Sequence, residues 1–428
     1  MPNGVFVLDT TKKPMTPCSP ARARQLLRDQ KAAVWRRVPF TIILKVAMPD
    51  AIVKPLTVKI DPGSKETGLV LVDKDNRVMF AAELTHRGGE IKASLLSRRS
   101  IRSGRRSRNT RYRAVRFNNR ARVKGWLPPS LDHRIQTTMT WVNRFQRWAS
   151  IEGIAVERVK FDMQHMTNPD ISGAEYQQGT LAGYTVREYL LEKWGRHCAY
   201  CNKDKVPLQI EHVIPKAKRG SNNISNLTIS CGPCNDRKGT RDVSEFLARK
   251  PLVLKRILTQ LKKPLSDAAA VNATRNKLFV SLLNTGLPVE TGTGAQTKFN
   301  RIRLDYPKAH WIDAACVGES GEAVTLKPDH KPLLIKAMGH GCRQVVRVNK
   351  YGFPCANPKS TKTVLGLKTG DLVKLEQTKG LYIGRYTARV SAINAARKTV
   401  SLMINKKQIW FSAKLATLLQ PADGYCYA

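Results

Sequence analysis

Two cysteine pairs constrain this chain more than any other feature: Cys198-Ala-Tyr-Cys201 and Cys231-Gly-Pro-Cys234, with 29 residues between them. Two residues between thiolates let one turn present both sulfurs to a single ion. The spacing therefore predicts a closed, tetrahedral four-cysteine Zn2+ site that staples a small module and does no chemistry itself. A redox dithiol would need no second pair. The other five cysteines (Cys18, Cys316, Cys342, Cys355 and Cys426) are scattered, and an odd total of nine suits a reducing cytosol better than a secreted disulfide framework.

The residues between the pairs are more informative. Glu211-His212-Val-Ile-Pro215 follows an apolar, strand-like stretch, then come Ser225-Asn226-Leu227 and Asn235-Asp-Arg-Lys-Gly239. An acid beside a histidine, with an asparagine returned to the same place by the zinc staple, can hold one divalent cation and leave an imidazole to activate water. In such a ββα-metal arrangement Glu211 and Asn235 hold Mg2+, His212 is the general base, and Asn226 orients the loop or the histidine. A lone histidine is more often structural; its place between two knuckles favours the catalytic reading.

A second set flanks the first. Asp61 ends a strand before a Pro-Gly turn, Glu157 lies on the strand-like Ile154–Val159, and His310 and Asp313 sit at i and i+3, on one helix face. Singly, Asp61 can cap a turn and Glu157 can be a strand-edge charge. In the order Asp, Glu, His-x-x-Asp they suggest a second metal site.

Charge points to the partner. The chain carries 74 Lys and Arg against 32 Asp and Glu, a net +42, and such a surplus repels itself unless a polyanion covers it. With 42% apolar residues the chain can still fold. No apolar run approaches the ~18 residues of a spanning helix, and no long amphipathic basic helix suggests a membrane surface. Nucleic acid is the expected partner. Between Ile91 and Leu131 there is no acidic residue, and arginines at 98, 99, 102, 105, 106, 108, 111, 113, 116 and 120 recur at helical spacing. This reads as a helix interrupted or kinked near Gly104 and ordered against phosphates, because like charges on one face otherwise oppose it. At roughly 100–200 residues per domain, 428 residues make two to four domains. Further helices are expected over Ser19–Ala32, Asp132–Ser150 and Tyr184–Trp194, strands at Phe40–Lys45 and either side of Asp61-Pro-Gly-Ser64, and a β-rich end from about Val324.

Glu211-His212, Asn226-Leu227 and Cys231 to Gly239 together resemble the HNH endonuclease module, with glutamate where aspartate is commoner. Asp61, Glu157 and His310-Trp-Ile-Asp313 resemble the three split segments of a RuvC-type RNase H fold. The whole order is similar to the IscB family of compact, transposon-encoded RNA-guided nucleases related to the type II CRISPR effectors. Phe40-Thr-Ile-Ile-Leu44, Asp61-Pro-Gly-Ser-Lys-x-x-Gly68, Thr297-Lys-Phe-Asn-Arg301, Lys308-x-His310-Trp-x-Asp313-Ala-Ala-Cys-Val-Gly318 and Thr369-Gly-Asp-Leu372 carry that likeness. Pro14-Met15-Thr16-Pro17 stands where the family has Pro-Leu-Met-Pro.

The resemblance implies an α/β protein. Its parts would be an N-terminal PLMP-like domain (1–54), RuvC segment I (55–90), an arginine-rich bridge helix (91–131) and RuvC segment II (132–165). An inserted HNH domain (166–250), RuvC segment III (251–323) and a β domain that reads a target-adjacent motif (324–428) would follow. It further implies two Mg2+ at Asp61, Glu157 and Asp313, with His310 activating or positioning water, one Mg2+ at the HNH site, and the arginine helix gripping RNA. The implied partners are a structured guide RNA and double-stranded target DNA with an adjacent motif, in a ribonucleoprotein with one protein chain in a prokaryotic, nucleoid-associated cytoplasm. HNH would cut the guide-paired strand and RuvC the displaced one. A guide-independent homing or junction-resolving nuclease keeps both metal sites, and a ribosomal-type zinc-ribbon protein keeps only the cysteines.

Overall fold

The computed structural model describes residues 3–108, 125–158, 182–261, 266–327, 330–339, 346, 348–351, 353–357 and 361–428, without the side chains of 105, 182–185, 188, 192 and 266–269. Arg111, Arg113, Arg116, Arg120 and the Arg105 side chain thus lie outside what is described. The chain divides into two compact units, Met1–Arg158 with Thr274–Ala428, and Val159–Ala273.

The larger unit is built on a seven-stranded sheet of order β11-β8-β5-β6-β7-β12-β20. Strands β5 (Leu56–Pro62), β6 (Glu66–Asp73) and β7 (Val78–Thr85) form an antiparallel meander. Strand β8 (Ile151–Glu157) joins β5 in parallel, and β11 (Val289–Gly292) joins β8 in parallel. On the far side β12 (Leu333–Ala337) runs parallel to β7, and β20 (Tyr425–Tyr427) closes the edge antiparallel to it. Three separated stretches of chain therefore supply β5 to β7, β8 and β11, and a fourth and fifth supply the outer edge.

Strand alternation divides the side chains between two faces. On one, Val58, Ile60, Leu69, Leu71, Phe80 and Leu84 pack on Ile135, Trp141, Val142, Phe145 and Trp148 of α3 (Pro129–Trp148). On the other, Val70, Val72 and Ala81 pack on Trp311, Ile312 and Ala315 of α9 (His310–Ala315). Helix α8 (Gly294–Arg303) precedes α9, and α7 (Ser266–Leu283) adds Leu278 and Leu282 to the first core.

The N-terminal residues form a sheet of order β2-β1-β4-β3, from β1 (Val5–Leu8), β2 (Pro14–Cys18), β3 (Ala32–Arg36) and β4 (Thr41–Leu44). Its helix α1 (Pro20–Arg28) starts on a Ser19 cap that accepts from Arg22 N. The expected Ser19–Ala32 helix is shorter than its pattern suggests, because Gln30 takes φ 56° and Ala32 already belongs to β3. Toward the C-terminus β15 (Leu372–Gln377), β16 (Gly384–Asn394), β17 (Thr399–Ile404), β18 (Lys407–Ser412) and β19 (Ala416–Gln420) form a five-stranded antiparallel sheet beside a short ladder of β13 (Thr363–Val364) and β14 (Leu367–Lys368).

The arginine-rich segment departs from expectation. Helix α2 (Gly88–Ser107) runs through Gly104 without a break, and a Cβ placed there would meet nothing within 4 Å. A glycine within a solvated helix costs about 1 kcal/mol relative to alanine, too little to interrupt it. Arg98, Arg99, Arg102, Arg106 and Arg108 are all exposed.

The smaller unit pairs β9 (Leu208–His212) antiparallel to β10 (Leu227–Cys231) and packs them with α4 (Ala182–Lys193), α5 (Gly232–Lys238) and α6 (Pro251–Leu261) around Leu190, Tyr200, Ile229 and Ile257. Among the described residues no helix is long and apolar enough to cross a membrane.

Candidate active sites

In the smaller unit the four cysteine sulfurs, Cys198, Cys201, Cys231 and Cys234, lie within 4.8 Å of one another. A tetrahedron of ~2.3 Å Zn–S bonds has edges of about 3.8 Å, and the Cys201 and Cys231 sulfurs stand 3.7 Å apart. Four thiols at this spacing are a donor set that suits zinc. Cys231 closes β10 and Cys234 opens α5, so the staple sets the helix against the hairpin.

That hairpin carries the Glu-His pair. His212 faces Leu227 across the ladder, and Glu211 faces Thr228. Neighbouring strand residues point to opposite faces, which sends the two side chains to different partners. Glu211, buried, accepts from Lys238 Nζ at 2.7 Å, and the same ammonium donates to the His212 carbonyl at 2.7 Å. His212 Nε2 lies 2.8 Å from Asn222 Oδ1. Asn235 donates to Gln209 Oε1 at 3.0 Å, reaching β9 two residues before Glu211 on the same face. Asn226 clamps the intervening loop: it accepts from Ile214 N at 2.9 Å and donates to the carbonyls of Ile214 at 3.0 Å and Ser221 at 2.8 Å. The structure thus holds Glu211 on Lys238 and Asn235 on Gln209. Lys238, Asn222 and Gln209 were not singled out from sequence. Lys238 follows Asn235 by three residues on one helix face, a spacing that could have flagged it.

In the larger unit one rung of the sheet organises the acids. Gly292 lies beside Glu157, Asp61 beside Gly68, and Gly68 beside Glu83; Glu157 falls next to Asp61, one step on from the Val156–Ile60 pair. The Asp61, Glu157 and Glu83 side chains face α9. Gly68 makes the approach possible, since a Cβ there would stand 2.0 Å from the His310 carbonyl oxygen. Glu83 in turn accepts from Trp311 N at 3.3 Å, fixing the first turn of α9.

The predicted residues converge here. His310 Nδ1 is 3.6 Å from Asp61 Oδ2, and its Nε2 is 3.3 Å from Glu66 Oε2. Asp313, buried one turn on, is paired with Lys308 and with Arg301 Nε at 2.9 Å. Burial, then the nearby Asp61 charge, pushes the Glu157 carboxyl up to about 8 despite a hydrogen bond from Thr297. Burial also raises Asp313, with Asp61 adding to it and Lys308 and Arg301 opposing. Among the described residues no carboxylate or histidine set closes to the 4.8 Å spacing of the cysteine cluster. Buried carboxylates held in the neutral form by burial and a neighbouring charge favour a bound cation, so the donor set around Glu157 and Asp313 suits a divalent metal. Arg301 and Lys308 belong to motifs noted in the sequence, but nothing in their spacing shows that both reach one acid.

The sequence matches the RRXRR protein family over residues 5–179 and the HNH endonuclease family over residues 198–251. The second match identifies an HNH endonuclease segment within the smaller unit. Among solved structures, the chain is similar to the type II-C Cas9 enzyme from Actinomyces naeslundii, with 17% identity over 43% of this chain and 25% of that one and a TM-score of 0.17. It is similar also to Streptococcus thermophilus Cas9 in complex with the GGAA PAM, with 10% identity over 62% and 32% and a TM-score of 0.25. The chain spans about a quarter to a third of the length of these enzymes. A comparison with curated proteins finds no match.

Proposed function

We propose that this protein is an RNA-guided double-strand DNA endonuclease with two independent metal-dependent sites. The observation that carries the reading is the sheet rung. Asp61 and Glu157, from two distant stretches of chain, face the helix that carries Asp313 from a third, in a unit interrupted by an HNH endonuclease domain. The rung is read as a RuvC-type site, split into segments at 55–90, 132–165 and 251–323. The HNH domain is taken as 166–250 and the C-terminal β domain, 324–428, as the part that reads a motif beside the target.

At the rung Asp61, Glu157 and Asp313 would hold two Mg2+, and the metals would supply stabilisation of the attacking and leaving oxygens of a phosphodiester. His310, braced between Asp61 and Glu66, would position the attacking water on the displaced strand. At the HNH site Glu211 and Asn235 would hold one Mg2+, which requires the Glu211 carboxylate to exchange Lys238 for the metal. His212, its Nε2 on Asn222, would take a proton from water and cut the guide-paired strand. The arginines of α2, as a bridge helix, would grip the guide RNA. The assembly is read as one protein chain with one RNA.

The test is to purify the protein from cells, read its ultraviolet spectrum and sequence any bound RNA. The expected result is one structured RNA, and cleavage of DNA complementary to one end of it that stops after ribonuclease treatment. Nucleic-acid-free protein that cuts a fixed or branched DNA unaided overturns guide dependence while leaving both metal sites standing.

A further inference from the structure

The N-terminal sheet carries an exposed aromatic that the nuclease reading does not use. Among the described residues, strand β3 is an edge strand, paired only to β4. Its register runs Val34 to Ile42 and then Arg36 to Thr41, so Trp35 is the extra, bulged residue. A bulge re-aims the side chain it carries, and Trp35 is left 47% exposed. Val34 beside it is exposed as well.

A cation is built against this ring. Lys12 Nζ stands 5.1 Å from the Trp35 ring centroid. Lys12 has φ 66° and sits in a turn tied by Asp9, whose Oδ1 accepts from Thr11 N at 2.8 Å and Lys13 N at 2.9 Å while its carbonyl accepts from Lys12 N at 3.0 Å. These bonds hold the backbone from which the Lys12 side chain reaches the ring. The surroundings are basic: residues 1–54 hold ten Lys and Arg against three Asp and no Glu.

We propose that Trp35 and Lys12 form a stacking platform for a base in a single-stranded stretch of the guide RNA, the indole taking the base and the ammonium a phosphate. An aromatic face flanked by cations is how sequence-tolerant single-strand binders hold their ligand. RNA is favoured over DNA by position. The N-terminal sheet docks through Phe6 onto Phe80 and Phe145, on the α3 face of the central sheet. Asp61 and Asp313 lie on the opposite, α9 face. A strand lying on Trp35 is therefore on the wrong face of the sheet to be the one cut at this rung. In this respect the proposal rests on the two-site reading above.

The test measures binding alone, so it stands or falls separately from cleavage. Full-length protein stripped of nucleic acid is titrated with an oligouridylate of about 12 nucleotides, within the site sizes of single-strand binders, with oligothymidylate of equal length, and with the corresponding RNA duplex. Trp35→Ala should weaken oligouridylate binding about tenfold, Trp35→Phe should restore most of it, and duplex binding should not change. Lys12→Ala should lower the salt slope of oligouridylate binding by about 0.7, the share of one phosphate contact on a single strand. Crosslinking at Trp35 under ultraviolet light should fall in the same order. Unchanged oligouridylate affinity in Trp35→Ala overturns the platform, as does an equal loss on the duplex. A loss confined to oligothymidylate assigns the site to DNA and overturns the RNA occupant.

Discussion

The smaller unit gathers its chemistry from one run of chain, Cys198 to Lys238, whereas the larger unit assembles its own from positions as far apart as Asp61 and Asp313. In the first, four cysteines and a two-stranded hairpin are enough to bring helix α5 to the Glu-His pair. In the second, the residues meet only because three stretches of chain enter one sheet at one level and Gly68 admits α9 beside it. The charge arrangements differ too. Glu211 is already neutralised by a buried lysine, whereas Glu157 faces other carboxylates and is pushed toward its neutral form. A site stapled locally by a metal would be exposed to loss of that metal; a site assembled over long range is exposed to anything that shifts the sheet or its charge balance.

The largest expected effect separates the two sites. His212→Ala should slow cutting of one DNA strand by about 10²–10⁴-fold, the usual worth of a general base. Asp61→Ala should do the same or more to the other strand, each leaving its counterpart at the wild-type rate. Strand-specific end labels read this directly. One substitution that stops both cuts would mean that the sites are not independent.

Next in size is the staple itself. Structural zinc contributes apparent binding free energy of about 10–16 kcal/mol in isolated zinc modules, far beyond what a small hairpin recovers by packing. Cys198→Ser or Cys231→Ser should therefore remove the zinc and open residues 159–273 to protease. The larger unit, with its own aromatic core of Phe6, Phe80, Trp141 and Phe145, should stay resistant. Zinc analysis and the pattern of proteolytic fragments check this. Loss of protection in both units at once would show that the sheet depends on the zinc module.

The same contrast explains what could be read in advance. The cysteine spacing, Glu211, His212 and Asn226 were legible because their geometry follows from separation along the chain. The acids of the rung were legible as residue types in an order; the sheet turns Asp61 and Glu157 toward the helix that carries Asp313. Their supports were not. Lys59 alternates with Val58 and Ile60 and so reads as a solvent-facing charge, yet it is buried beneath the α9 face, donating to the Val317 carbonyl at 3.1 Å. Alternation reports one buried face and is silent when both faces are covered. The Glu211–Lys238 pair was missed for a different reason, since a charged residue at a helix end has a sufficient explanation in the helix dipole. Gly104 misled because a break was inferred from a residue that weakens a helix without ending it.

A smaller effect tests the charge balance of the rung. The Glu157 carboxyl, ordinarily near 4.5, is raised to about 8 in the fold by burial and then by Asp61. A raised acid holds its proton more tightly in the native state than in the unfolded one, so it stabilises the fold fully below about 4.5 and loses that contribution as pH climbs through 8. Zinc-loaded protein without magnesium should therefore melt at falling temperature between pH 5 and pH 8.5, read by near-ultraviolet circular dichroism of the aromatic core. Glu157→Gln should flatten that slope, and added Mg2+, which favours the ionised carboxylate, should restore the wild-type midpoint at the alkaline end.

The smallest predicted change concerns Asp313, which has two cations where one would neutralise it. Lys308→Ala leaves Arg301 Nε at 2.9 Å, so the carboxylate keeps its charge and most of its position. A hydrogen bond to a charged group is worth about 1.5–3 kcal/mol when its loss is uncompensated, and the remaining arginine offsets part of it. Cutting at the rung should fall by about tenfold, less than for Asp61→Ala, with HNH cutting unaffected. Arg301→Ala made in the same background should cost more than the two single changes together, because only then is a buried carboxylate left without a partner. Additive losses in that double-mutant cycle would show that Lys308 and Arg301 act on Asp313 separately, and that the second cation is not a reserve for the first.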